Sequence, residues 1–387
     1  MRIEYPKCGS LLIGALLAIT FFFSAIQPVR AAATPADLTE RLEQVYASRP
    51  DLRACFRSDD WTAIPSSRTA GLYDLEDWAR KYGYAEYPGL LAAFAPGSGA
   101  AVQDPVSGSL PPALTVRSSA YVPELKVGAK FDFSRLSASG ILVVDYGSRE
   151  VLLARNSRLG HPIASITKLM TAMVLLDRNA RLRGTVTMNA DETARAGEAS
   201  LKVKVSEKLT SVDLFYAMIV GSANNAAHAL ARSCGLTIPE FVAAMNRKAA
   251  DLGLRSSSFA DTTGLGISNV STPVDTAALA IEAFDRYYLI RKAATTSTYD
   301  MVVAGQKHQL KNTNSLLTDE NNGLVVLGGK TGYLNESKWN LVTKIRDGVH
   351  PSLVVVVFGS DTQQQLFNEA ETAVRWVWEN YRWVKVK

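Results

Sequence analysis

The feature that most constrains this chain is the stretch HPIASITKLMTAMVLLDRN, residues 161 to 179. It has no glycine and, after Pro162, no proline, so nothing inside it breaks a helix. From Ile163 to Leu176 almost every side chain is apolar or small, on all faces of the helix rather than along one stripe. A helix of that kind is enclosed by other elements on every side. One residue conflicts with its surroundings. Lys168 lies in the middle of this apolar run, and desolvation disfavours its charged form. Three residues before it stands Ser165, and residues three apart share a helix face. A neutral amine beside a hydroxyl is a general base beside a nucleophile. The serine falls at the helix N-terminus, where free N–H groups and the helix dipole favour developing negative charge. Alone, S-x-x-K is a weak signal that often arises on a solvated helix face.

The flanking sequence sets the architecture. SGILVVDYGSREVLLARN, residues 139 to 156, has two apolar runs around Tyr146-Gly147-Ser148 and predicts a β-hairpin. Helical sequence then continues to about residue 290. Strand character returns in GLVVLGGKTGY, KWNLVTKI and SLVVVVFGS, with a tight-turn signal at Asp347-Gly348 between the last two. A final helix is expected over TQQQLFNEAETAVRWVWENYRW, at the end of the chain. Strands first and last, with helices between, fit one antiparallel sheet built from both ends of the domain with a helical insert. This is an α/β arrangement of the α+β kind.

Two further elements carry chemistry. Ser222-Ala223-Asn224 follows the helix DLFYAMIVG, where Gly221 ends the helix and leaves Ser222 on a loop. A second hydroxyl there suits proton transfer to a leaving group, and the Asn224 amide suits holding Lys168 or a substrate backbone. Ser and Asn are also common helix caps, and that reading stays open. Lys330-Thr331-Gly332 lies at a strand end, where lysine and threonine suit a carboxylate and glycine lets a substrate lie close. The local sequence GGKT resembles the end of a P-loop. However, that pattern needs glycine six residues before the lysine, where Leu324 stands, and a helix after it, where none is expected.

The N-terminal third reads differently. Arg2 and Lys7, then a charge-free run from Gly9 to Ile26, then Ala31-Ala32-Ala33, form the three-part pattern of a secretory signal over residues 1–33. Left uncleaved, the run would be a membrane anchor, so membrane association is expected only in that case. The mature chain is expected to be exported to the periplasm or cell envelope. Residues 34–95 read as a helical module of two similar units, since YASRPDLRACF and YAEYPGLLAAF share Tyr, Ala, Pro, Leu, Ala and Phe in order. Residues 96–120, rich in Gly, Pro, Ser and Ala, read as a linker, with the second domain over 121–387. The formal charge is +5. The signal carries Arg2, Lys7 and Arg30 against Glu4, which leaves +3 for the remainder, too mild to point to nucleic acid. His161, His228, His308 and His350 show no metal spacing. Cys55 and Cys234 are expected as two buried thiols, with pairing left open.

S-x-x-K, S-x-N and K-T-G in this order, together with PIASITKLMTA, LTSVDLFYAMIVGSANNAA, DTTGLGISNVSTPVD and GGKTGY, resemble the penicillin-binding protein and serine β-lactamase superfamily. The match is closest to its low-molecular-weight D-alanyl-D-alanine peptidases and spans roughly residues 126 to 382. The resemblance implies a β-lactamase/DD-peptidase-like antiparallel sheet flanked by helices with a helical subdomain, beside the N-terminal helical module. It implies Ser165 as nucleophile, Lys168 as base, Ser222 as proton relay and Asn224 as the residue orienting Lys168 and substrate. It implies Lys330 and Thr331 at the substrate carboxylate, Gly332 and Tyr333 along the substrate, and the N–H groups of Ser165 and Tyr333 as oxyanion hole. Peptidoglycan peptides are the implied substrates, β-lactams the covalent inhibitors, and no cofactor or metal is implied. The chain departs from the family at Asn225, where relatives often have Asp, and at Leu334, Ser337 and Lys338 after the third motif. The Glu-x-x-Leu-Asn element of a class A β-lactamase is absent between Ser222 and Lys330. Carboxypeptidase and endopeptidase both remain open, although a chain without an extra β-domain after its last helix resembles the endopeptidase subgroup. A wall-binding or scaffold protein on the same frame is the non-catalytic alternative.

Overall fold

The structure, a computed structural model, describes residues 110–178, 182–194, 199–319 and 321–386. The signal, the helical module, Cys55 and the first part of the expected linker lie outside the described residues.

The central sheet takes two strands from the front of the domain, β1 (Gly140–Asp145) and β2 (Val151–Arg155), and three from its end. These are β3 (Val325–Leu334), β4 (Lys338–Arg346) and β5 (Leu353–Ser360). The order is β3-β4-β5-β1-β2, with every pair antiparallel. Val143 of β1 pairs with Val355 of β5, so the sheet closes from both ends of the domain.

Alternation along the strands sorts the side chains into two cores. Leu142, Val144, Val354, Val356 and Phe358 share one core with α1 (Thr167–Arg178), α2 (Ser211–Ile219), α3 (Asn224–Ser233), α4 (Ile238–Asp251) and α5 (Pro273–Arg286), of which α5 packs on β1 and β5. Ile141, Val143, Leu353, Val355 and Val357 face α6 (Gln363–Asn380) on the other side. Strands covered on both faces have no reason to alternate in polarity, which is why SLVVVVFGS is an unbroken apolar run. Each buried Val or Leu contributes about 1.5–3 kcal/mol relative to exposure. As its sequence requires, α1 is enclosed, with every residue from Thr167 to Leu176 buried.

Three local expectations are corrected. The last helix stops at Asn380, and Tyr381–Lys385 forms a strand paired with Tyr121–Leu125. No glycine or proline marks that switch, because the strand exists through its distant partner. The connection at Asp347-Gly348 is a longer loop, since β4 ends at Arg346 and β5 begins at Leu353. In it the Asp347 carboxylate accepts from the N–H groups of Val349 and His350. Cys234 is a free, half-buried thiol rather than a buried one.

The sequence reading also passed over a hairpin, Thr298–Val303 with Gln306–Lys311. Its two-residue turn places both Ala304 (φ 48°) and Gly305 (φ 80°) in the left-handed region, as a type I′ turn demands. Alanine in the first of those positions hides the usual Asn-Gly signal. Within the stretch expected to be linker, Leu114 is buried in the first core, and the Arg117 N–H donates to the Ser148 carbonyl. Among the described residues, no helix is long and apolar enough to cross a membrane.

Candidate active site

Ser165 lies on a single 3-10 turn, Ala164–Ile166, that leads directly into α1. Ala164 adopts φ 48°, a strained conformation for a residue with a Cβ. Two glycines make room for this turn. A Cβ on Gly332 of β3 would lie 2.5 Å from the Ile163 carbonyl oxygen and 3.1 Å from the Ser165 nitrogen. A Cβ on Gly264 would lie 1.9 Å from the Ala164 carbonyl oxygen. The serine backbone is therefore clamped between a strand and a loop, neither of which can carry a side chain there.

Lys168 sits on the first turn of α1, fully buried. Its Nζ is 2.7 Å from Ser165 Oγ, 2.7 Å from Asn224 Oδ1 and 2.6 Å from the Thr263 carbonyl oxygen. Burial holds its pKa well below the ordinary lysine value. The nearby Lys330 lowers it further, while Asp261 acts in the opposite sense.

Ser222 occupies the connection between α2 and α3 with φ 57°, and its hydroxyl accepts from Lys330 Nζ at 2.9 Å. Lys330, buried in β3, also donates to the Thr331 carbonyl at 3.0 Å, and burial lowers its pKa to about 7. The helix-cap reading of the second motif falls away. Ala223 is the N-cap of α3 and makes no side-chain cap bond, while the polar groups on either side of it face the two lysines.

Ser165, Lys168 and Asn224 thus form one cluster and Ser222 and Lys330 a second, with Gly332 against the serine backbone. Thr331 is nearly buried, and its hydroxyl lies 2.6 Å from that of Thr313. Tyr333 is 42% exposed, its ring packs 4.4 Å from that of Trp339, and its hydroxyl donates to Asn335. The side chain of Tyr333 is thus engaged by Trp339 and Asn335.

The departures after the third motif are anchored. Ser337 is fully buried, with its carbonyl 3.0 Å from His161 Nε2 and its hydroxyl accepting from Asn340. Lys338, at φ 54°, forms an ion pair with Asp361. Asn225 accepts from the Leu201 N–H and donates to the Leu201 carbonyl, at 3.0 and 2.9 Å. A carboxylate there could accept but not donate, so the amide suits this partner.

Sequence reasoning passed over three participants. Thr263 contributes only a carbonyl, which leaves no mark on side-chain patterns. Asp261, in the same DTTGLG segment, accepts from Thr263 N and Oγ1, Gly264 N, Gly266 N and Asn269 Nδ2. Thr313 lies 18 residues before Thr331, with the short helix Ser315–Thr318 between them, and meets it only in space.

Comparison with known proteins places this geometry among relatives. Residues 127–362 match the family described as D-alanyl-D-alanine carboxypeptidase, a serine peptidase family. A D-alanyl-D-alanine endopeptidase of Haemophilus influenzae is 37% identical over 206 residues, covering 53% of this chain and 69% of its own. A protein of the same name from Pseudomonas aeruginosa is 33% identical over 246 residues, covering 62% and 77%. Among solved structures, the Streptomyces K15 DD-transpeptidase superposes with a TM-score of 0.59 at 26% identity, covering 64% of this chain and all of that one.

Proposed function

Because the chain belongs to the D-alanyl-D-alanine carboxypeptidase family of serine peptidases, we propose that Ser165 is its nucleophile and Lys168 the base that activates it. The protein is a serine DD-peptidase with the fold of the penicillin-binding proteins. One observation carries the assignment of the base. Of the three partners of Lys168 Nζ, the Asn224 amide oxygen and the Thr263 carbonyl can only accept. A neutral amine has two N–H groups, and these two acceptors take both. The lone pair is then left facing the Ser165 hydroxyl, the one partner that can donate.

The steps follow. Ser165 Oγ attacks the carbonyl carbon of a D-Ala-D-X bond, and its proton passes to the Lys168 amine. The N–H groups of Ser165 and Tyr333 hold the oxyanion, each worth about 3 kcal/mol by analogy with other such donors. Collapse breaks the C–N bond, and the leaving amine takes a proton through the Ser222 hydroxyl, which Lys330 polarises. Lys330 and Thr331 bind the substrate carboxylate. Water then hydrolyses the serine ester, releasing the acid and restoring Ser165. β-Lactams acylate the same serine and leave slowly.

Among DD-peptidase activities, we favour cleavage of peptidoglycan cross-links. Support comes from the Haemophilus and Pseudomonas relatives, both named endopeptidases. Residues 1–33 serve as the export signal in this reading, residues 34–95 as a separate helical module, and the periplasm or envelope as the place of action. The test is incubation with labelled penicillin and then with defined cross-linked and uncross-linked muropeptides. Serine-dependent labelling with cleavage of the cross-linked form is expected. Labelling that survives Ser165→Ala would sink the nucleophile assignment, and release of terminal D-Ala alone would overturn the endopeptidase reading.

A further inference from the structure

The loop opposite the nucleophile, DTTGLGISN (residues 261–269), holds a carboxylate that the mechanism above does not use. Asp261 Oδ1 accepts from the N–H groups of Thr263 and Gly264 and from the Thr263 hydroxyl, at 2.6 to 2.7 Å. Its Oδ2 accepts from Gly266 N at 3.0 Å and Asn269 Nδ2 at 2.6 Å. Five donors converge on one half-buried group and wind the loop around it. Two consequences reach the nucleophile. The Thr263 carbonyl is turned onto Lys168 Nζ at 2.6 Å. Gly264 is pressed against the Ala164 carbonyl. The loop is also tied at its far end, where the Asn269 carbonyl accepts from Ile163 N at 3.0 Å.

Charge points the same way. Two charged groups act on Lys168, namely Lys330 from β3 and Asp261 from this loop. Asn224, on α3, and Ser165, on the 3-10 turn, are neutral. Asp261 is thus the negative charge that acts on Lys168. Burial pushes its own pKa up, but the hydrogen bonds from Thr263, Gly264 and Gly266 outweigh this and hold it below the ordinary aspartate value, so it is ionised at neutral pH.

We propose that Asp261 is a positioning residue for the general base: it fixes the Thr263 carbonyl that orients the Lys168 amine, and it places a negative charge on the loop that faces that amine. This rests on the assignment of Ser165 and Lys168 above. The sign is determined. Acylation needs neutral Lys168, so the rate is lost as pH falls through the pKa of that group. Removing the carboxylate charge destabilises the ammonium and lowers this pKa, so the acid limb of the profile moves to lower pH.

The experiment measures the second-order rate of acylation by a fluorescent penicillin across pH, for the full chain and for Asp261→Asn and Asp261→Glu. A nearby opposite charge shifts a pKa by about 1–3 units, so the Asn variant should move the acid midpoint down by about one unit. Its plateau rate should also fall, by up to about a hundredfold, as the base loses its orientation. The Glu variant keeps the charge and should keep the midpoint near that of the wild type, even with a reduced plateau. A reduced plateau with an unmoved midpoint in Asp261→Asn would overturn the proposal and leave the residue a loop brace. If thermal melts show that the Asn variant does not fold, Asp261→Ser, smaller and equally neutral, carries the same expectation. If neither neutral variant folds, the Glu variant decides, and a midpoint displaced by a unit or more overturns the proposal. Absence of Ser165-dependent labelling in the wild type is a different failure and sinks the peptidase reading itself.

Discussion

The candidate site holds two serine–lysine pairs, and they are built in different ways. Ser165 and Lys168 are three residues apart and come together when one turn of helix forms. Ser222 and Lys330 are 108 residues apart and meet only when β3 lies beside the α2–α3 connection. The partners differ as well. Lys168 has two fixed acceptors besides its serine, whereas among the described residues Lys330 has, besides Ser222, only the Thr331 carbonyl. Both amines are buried, yet the first is caged and aimed at a hydroxyl, while the second keeps a direction open for a substrate. The difference teaches that burial lowers the pKa of both lysines, and that the groups around each amine decide what it can do.

Experiments can break or sharpen that contrast. The largest effect is expected at the local pair. Ser165→Ala should abolish labelling by penicillin and reduce peptide turnover by on the order of a million-fold, and adding Lys168→Ala should cost little more, because the two act as a unit. A double variant far worse than either single would show that the pair does not act together.

Lys330→Met should act on the substrate side. Truncating one partner of a buried charged contact costs about 2–5 kcal/mol, so kcat/KM for carboxylate-bearing peptides should fall roughly thirtyfold or more. The same variant tests burial. The folded-state pKa of Lys330, about 7, lies below its unfolded value of about 10.5, so the unfolded chain binds more protons between these limits. Stability should therefore rise as pH increases from 7 towards 10.5, and denaturant titrations should show a shallower rise for Lys330→Met. An unchanged slope would mean that Lys330 stays charged when buried.

A smaller effect is expected at Thr313→Val. The hydroxyl of Thr331 loses its partner, a hydrogen bond worth about 1 kcal/mol, and kcat/KM should fall by about fivefold with the labelling stoichiometry intact. The smallest is Lys338→Ala. Its ion pair with Asp361 is half exposed, and such pairs contribute about 0–1 kcal/mol, so the melting temperature should hardly change. A large change in muropeptide preference with unchanged stability would instead place Lys338 at the substrate.

The same contrast explains what the sequence disclosed. The S-x-x-K pair was legible because helix periodicity alone makes Ser165 and Lys168 neighbours. The covered strands were legible as unbroken apolar runs, and K-T-G within β3 was separable from a P-loop because no helix follows it. What stayed hidden depends on distant partners. The Tyr381–Lys385 strand is specified by Tyr121–Leu125, at the other end of the domain. Thr313 finds Thr331 only after an intervening helix and loop, and Thr263 acts through a backbone atom that any residue possesses. Asn225 was visible as a departure, but the reason for the amide, a donor for the Leu201 carbonyl, required the fold.

The closure of the sheet has a consequence in time. β1 cannot be paired on its inner edge until β5 is present, and α5, which packs on both strands, has no floor until both are in place. Such long-range pairing is slow, because loop-closure entropy must be met before the contacts return it. A nascent chain that has reached Gly332 already holds every residue of the three motifs, yet it lacks the strand that joins the two ends of the domain. Hydrolytic competence therefore arrives late in the life of the polypeptide, as a property of the finished sheet, and an interrupted chain should carry all of the chemistry and none of the activity.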